Sequence, residues 1–200
     1  DLSYMRCIPN MVVSAPMDEA ELRNLMFTAQ LKGMGPFSIR YPRGKGVMTE
    51  WKTTMKEIKV GTGRKINSGN DIAVLTIGHP GNFAQEAIKD LKDSGASVAH
   101  YDMRFVKPID ETMLHEVFTK FNKVITVEDG CLMGGFGSAV IEFMADQKYT
   151  AEVVRLGIPD AYIQHGTQKE LWEECGFDKN AIVKTIKEML NIASVESSHA

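Results

Sequence analysis

The sequence predicts an α/β protein with a mainly parallel sheet flanked by helices, and three observations carry that expectation. From Asp71 onward, short apolar runs alternate with stretches of helical period, the pattern of strand–helix–strand units. Capping residues (Asp18, Asp110, Thr167 and Asp178) stand where the helical periods begin, as helix starts require. Ahead of the main unit, two apolar runs bracket one further helix, a partial α/β domain of the same kind.

Residues 11–15 (Met-Val-Val-Ser-Ala) form a short β-branched run closed by Pro16, hence a buried strand. Asp18 is an N-cap with Glu21 three residues on, and Leu22, Leu25, Met26 and Ala29 follow on one helical face. Pro36 leads into a second strand, 37–41, closed by Pro42-Arg43-Gly44. Such a unit needs neighbouring strands to bury it, and this segment supplies none of its own. Residues 44–70 are polar and punctuated by glycine, which reads as a linker with room for a short hairpin over 56–65.

The main unit is expected over 71–192. Strands are predicted at 72–77, 97–105, 123–127 and 152–156. The first is followed by a helix burying Ala84, Ala87, Ile88 and Leu91, the second by one burying Leu114, Val117, Phe118 and Phe121, the third by a helix over 134–147. Thr167 and Glu170 make a capping box, and Asp178 opens a last helix that buries Ile182, Ile186, Met189 and Leu190. Residues 193–200 read as a disordered tail. The division is therefore 1–43 partial domain, 44–70 linker, 71–192 main domain and 193–200 tail.

Composition narrows the function classes. With 44% hydrophobic and 24% charged residues, the chain is an ordinary globular protein. A formal net charge of −3 gives no electrostatic ground for nucleic acid or an anionic membrane as partner. No apolar run approaches the roughly 18 residues a membrane span needs. Cys7, Cys131 and Cys175 are odd in number and widely spaced, which fits reduced thiols in a cytoplasmic protein. The chain opens on Asp1 and reads as a fragment of a longer polypeptide.

Arg43 is the one candidate ligand contact. It follows a strand's C-terminal end, where open α/β sheets place their sites, and its planar fork suits a phosphate. A surface arginine in a proline turn is the commoner role on residue chemistry alone. Arg40 points to the opposite face and suits an ion pair. The run Glu128-Asp129-Gly130 leads through Gly134-Gly135-Phe136-Gly137-Ser138 into a helix. Two carboxylates there would repel a phosphate, so close helix–sheet packing explains these glycines at least as well. Glu128 and Asp129 are left to cap backbone donors or to pair across a subunit boundary. Asp102 and Arg104 suit an internal ion-pair network. His165 is a lone loop histidine. No Ser–His–Asp set, Cys–His set or zinc ligand cluster can be assembled from the spacing.

Taken together, these motifs resemble a family. Asp1 to Met11, Ser14 to Glu19 and Arg40-Tyr41-Pro42-Arg43-Gly44 are similar to the end of the pyrimidine-binding domain of the 1-deoxy-D-xylulose-5-phosphate synthases. Asp102 to Asp110, Glu128 to Ser138, Gly157 to Asp160 and His165 to Gln168 resemble the transketolase-like C-terminal domain of that family. Related thiamine enzymes share part of the pattern, without the Leu2-Ser3-Tyr4 opening or the His165-Gly166-Thr167-Gln168 segment in these forms.

The resemblance implies a thiamine-diphosphate- and magnesium-dependent transferase. It would condense pyruvate with glyceraldehyde 3-phosphate, losing carbon dioxide, to supply isoprenoid, thiamine and pyridoxal synthesis as a cytoplasmic homodimer. By the same resemblance Arg43 grips the phosphate of the acceptor substrate. The cofactor-activating glutamate, the diphosphate–magnesium site and the family's substrate histidine and aspartate fall upstream of Asp1. No catalytic, cofactor-binding or metal-binding residue is therefore assigned within the chain, and the fragment alone is expected to be inactive and cofactor-free. The alternative is a non-catalytic assembly or dimerisation module of a transketolase-like or 2-oxo-acid dehydrogenase enzyme.

Overall fold

The computed structural model describes residues 1–48 and 50–192. The tail expected over 193–200 lies outside the described residues.

Alternation of side chains along the strands explains the main sheet. Strands β3 (Arg64–Asn67), β4 (Ile72–Ile77), β5 (Val98–Asp102), β7 (Lys123–Cys131) and β8 (Glu152–Ile158) form a five-stranded sheet in the order β3-β5-β4-β7-β8. All pairings are parallel except β3 with β5. In β4, Ala73, Leu75 and Ile77 turn to one face while Ile72 and Val74 turn to the other, as the period of two dictates. Helices α4 (Glu111–Lys120) and α5 (Phe136–Asp146) cover the first face with Leu114, Val117, Phe136 and Val140. Helices α3 (Pro80–Asp90) and α7 (Lys179–Leu190) cover the second with Ala84, Ala87, Ile182 and Ile186.

The caps form as the residue types require. Asp18, Asp110 and Asp178 each accept from the backbone N–H three residues on. Thr167 and Glu170 close a reciprocal capping box at the start of α6 (Gln168–Glu174).

Three features depart from the sequence expectation. First, β3 falls inside the stretch read as linker. Its Arg-Lys-Ile-Asn sequence carries a single apolar residue, because an edge strand with one half-solvated face needs little hydrophobicity. Second, the run 97–105 is not one strand. Arg104 adopts φ 55°, a left-handed conformation uncommon outside glycine, and the chain leaves the main sheet there. Strand β6 (Phe105–Lys107) then pairs antiparallel with β1 (Val12–Ser14), which also pairs in parallel with β2 (Phe37–Ile39). The neighbour missing from the N-terminal segment thus comes from the C-terminal one, and Phe105 shares a small core with Val12, Leu25 and Ile58. Third, helix α2 (Glu19–Ala29) buries Glu21, Leu25 and Thr28, while Met26 stays 49% exposed. Glu21 turns inward because two arginines bind its carboxylate.

Those arginines knit the two segments together. Arg104 donates to both Glu21 oxygens, at 2.6 and 3.0 Å, and Arg64 lies 3.2 Å from Glu21 and 2.9 Å from Asp102. Asp102 is fully buried. Burial pushes its carboxyl up to about 6, against the pull of Arg64. A folded-state value above that of the unfolded chain means that protonation favours the native state. The Asp102 contribution is full below about pH 4 and is lost as pH rises through about 6. Stability of the native chain relative to Asp102→Asn should therefore fall by up to about 3 kcal/mol between pH 4 and 7. Urea titrations of both proteins across that range check it; parallel pH profiles would contradict it.

Candidate functional site

The end of β2 is where the two segments meet. Arg40 closes the strand pairing by donating its N–H to Ser14 O at 2.9 Å. Tyr41-Pro42-Arg43-Gly44 then leaves the sheet, with Arg43 exposed. Beside this turn lies a cleft of about 320 Å³, walled by Met17, Tyr41 and Pro42 on one side and by His79, Phe83 and Trp172 on the other.

The C-terminal wall of the cleft is built on strand ends. Gly78, at φ 74°, turns the chain out of β4, a conformation that glycine adopts without steric cost, and delivers His79 to the start of α3. The His79 ring packs 5.4 Å from Phe83 and 5.1 Å from Trp172. Its Nε2 lies 2.7 Å from Asp129 Oδ2, and the same oxygen accepts from Arg40 Nη1 at 2.8 Å. Burial raises the Asp129 carboxyl, but the hydrogen bonds from His79 and Arg40 outweigh it and hold the group down at about 2. Asp129 is therefore a carboxylate across the ordinary pH range.

Its neighbour Glu128 does different work. Fully buried, it accepts from the backbone N–H groups of Phe136 and Gly137, both at 2.8 Å. It thus satisfies the first free donors of α5. The glycines around it serve close packing. A Cβ on Gly135 would stand 2.2 Å from Glu128 Oε2 and 2.3 Å from Cys131 O, and one on Gly137 would stand 2.6 Å from Thr126 Oγ1. No cradle for an anion is left there, because a carboxylate fills it.

The structure thus unites Arg40 with Asp129, and Asp102 and Arg104 with Glu21 and Arg64. It leaves His165 exposed in the loop before α6. It brings Gln168 against Gly44, where an added Cβ would lie 2.6 Å from Gln168 Oε1. Arg43 is likewise exposed. His79 escaped the sequence reading, although its place directly after the apolar run 72–77 and Gly78 marked the C-terminal end of a central strand. Arg64 carried no such signal. Among the described residues, no three His, Cys, Asp or Glu side chains stand together in a way that could hold a metal ion, and no helix is long and apolar enough to cross a membrane.

Helices on both faces of this sheet, with strand ends gathered against a partial N-terminal α/β unit, define a transketolase-type module. Residues 61–182 match the family model of the transketolase C-terminal domain, and the chain belongs to that family. Over nearly its whole length it is similar to proteins named 1-deoxy-D-xylulose-5-phosphate synthase. The relative from Cytophaga hutchinsonii is 63% identical over 193 residues, covering 96% of this chain and 30% of the relative. That from Bacteroides thetaiotaomicron is 54% identical, covering 93% and 29%, and that from Vibrio parahaemolyticus is 43% identical, covering 95% and 30%. The chain spans about 30% of the length of the relatives it matches. Among solved structures, a split-gene transketolase, described as an inactive β4 tetramer, superposes with a TM-score of 0.79 at 28% identity, covering 96% of this chain and 61% of that one.

Proposed function

We propose that the chain is a portion of a thiamine-diphosphate-dependent synthase that condenses pyruvate with glyceraldehyde 3-phosphate to 1-deoxy-D-xylulose 5-phosphate, releasing carbon dioxide. The observation that supports this reading most is the 63% identity over 96% of the chain to a protein of that name. In this reading residues 1–43 end the pyrimidine-binding domain, 44–60 lead across, and the transketolase-like domain begins at about residue 61, where the family match starts just ahead of β3. Arg43 is the contact to the acceptor phosphate, exposed at a strand end beside the cleft.

The residues present do not fit the cofactor with its magnesium ion. The acidic side chains nearest the cleft are engaged elsewhere: Asp18 accepts from Glu21 N, Glu19 from Val47 N and Met48 N, and Asp129 from Arg40. The chain's own part is to build one flank of the substrate region and to hold the segment bearing Arg43. The polypeptide extended upstream is expected to consume pyruvate and glyceraldehyde 3-phosphate in equal amounts when thiamine diphosphate and magnesium are added. Residues 1–200 alone are expected to show neither turnover nor heat of binding on calorimetric titration with the cofactor. Micromolar binding by the isolated chain, or no condensation by the extended one, would overturn the reading.

One observation favours a second reading. The split-gene transketolase resembled here is described as an inactive β4 tetramer, so a chain of this type can exist as a separate subunit. In that case the chain is an assembly module, and activity appears only on mixing it with a second polypeptide.

A further inference from the structure

The contact among Arg40, Asp129 and His79 bears on how Arg43 is aimed, an argument that rests on the proposed phosphate role of Arg43. Beyond Arg40 the chain no longer pairs with β1, so nothing in the sheet directs the turn that follows. Pro42 fixes its own φ and keeps Tyr41 extended. The direction of Arg43 is thus inherited from Arg40 across a stiff step of three residues.

Arg40 is gripped from the other sheet. Asp129 leaves the C-terminal part of β7 and takes the guanidinium at 2.8 Å. The same oxygen meets His79 Nε2 at 2.7 Å, and the His79 ring packs against both Phe83 and Trp172, which also touch each other. The far end of the turn is tied down as well, since Val47 N and Met48 N each donate to the Glu19 carboxylate at 2.9 Å. A loop held at both ends by charge-assisted hydrogen bonds can present one side chain in a narrow range of positions.

We infer that Asp129, oriented by His79, is a positioning residue for Arg43: the C-terminal domain sets, through Arg40, where the turn 41–46 offers its guanidinium to a phosphate. Misplacement of a binding group by about 1 Å costs up to a hundredfold in rate, so loss of the anchor should be visible in substrate kinetics.

The test uses the full-length enzyme and Asp129→Asn, which keeps the shape of the side chain and removes its charge. The Michaelis constant for glyceraldehyde 3-phosphate should rise about fivefold, while kcat and the constant for pyruvate change less than about twofold. On an Arg43→Ala background the same substitution should add less than about twofold, since it acts through the group already removed. Hydrogen exchange at the amides of 41–48 should quicken, with α3 and α5 unchanged. An equal loss with and without Arg43 would mark Asp129 as merely structural and overturn the inference, as would unaltered exchange at 41–48. If Arg43→Ala itself leaves the phosphorylated substrate unaffected, the phosphate reading of Arg43 falls, and the exchange measurement alone then decides whether Asp129 holds the turn.

Discussion

Replacing Glu128 by alanine is expected to destabilise the chain by about 3 kcal/mol, because two buried backbone donors lose their acceptor at once. Phe136 N and Gly137 N both donate to this carboxylate at 2.8 Å, and no exposed face of the helix start lets water take its place, since Phe136 is fully buried and Gly137 packs against Thr126 and Arg155. Each unsatisfied buried donor costs about 1–3 kcal/mol, to which the lost side-chain volume adds. Burial raises the Glu128 carboxyl, so part of the gain is already offset in the native protein. For that reason the estimate sits in the lower half of the roughly 2–6 kcal/mol that two such donors would cost together. In a chain of this size such a loss should lower the melting temperature by roughly 6–12 °C. Glu128→Gln keeps one acceptor and sets an N–H against a donor, so it should recover no more than half. A shift of the alanine variant by less than about 1 kcal/mol in urea titration would show that another group takes over the donors.

The same residue shows how far the sequence could be read. A strand, two carboxylates and a glycine-rich turn were legible as a strand–helix junction, and the glycines as packing devices, because each follows from local chemistry. Which carboxylate capped the helix and which paired with Arg40 was not legible, since Arg40 lies 89 positions away. Caps at Asp18, Asp110, Thr167 and Asp178 could be read for the same local reason: each bond spans three residues. The left-handed turn at Arg104 could not. Nothing near it in the chain demands that conformation; it is sustained by Glu21, 83 positions upstream, and by the pairing of β6 with β1. Likewise β3 carries so little apolar pattern that only its partner β5 makes it a strand. Arg43 is legible from its strand-end position and from resemblance, and His79 and Asp129 each carry a strand-end signal of their own, but that these two meet at Arg40 is seen only when the two segments are brought together.

Arg43→Ala in the full-length enzyme is expected to raise the Michaelis constant for glyceraldehyde 3-phosphate at least about tenfold, since one charge-assisted hydrogen bond is worth roughly 1.5–3 kcal/mol net and about 1.4 kcal/mol corresponds to that factor. Pyruvate and cofactor affinities should change little. Pyruvate carries no phosphate, and the nearest carboxylates that cofactor or metal would need are engaged by Arg40, His79 and backbone donors. Arg43 is exposed, so its removal leaves no cavity and the variant should melt within about 1 °C of the parent, as surface substitutions generally do. Arg43→Lys should restore only part of the affinity, because an ammonium keeps the charge but lacks the fork that binds two phosphate oxygens together. The discriminating control is an aldehyde acceptor without a phosphate. A residue that grips phosphate is silent toward it, so the ratio of efficiencies for the two acceptors should collapse in Arg43→Ala by the same tenfold or more. Equal slowing toward both acceptors would mean that Arg43 shapes the turn rather than touching substrate, and the phosphate contact would then have to be sought elsewhere in the enzyme.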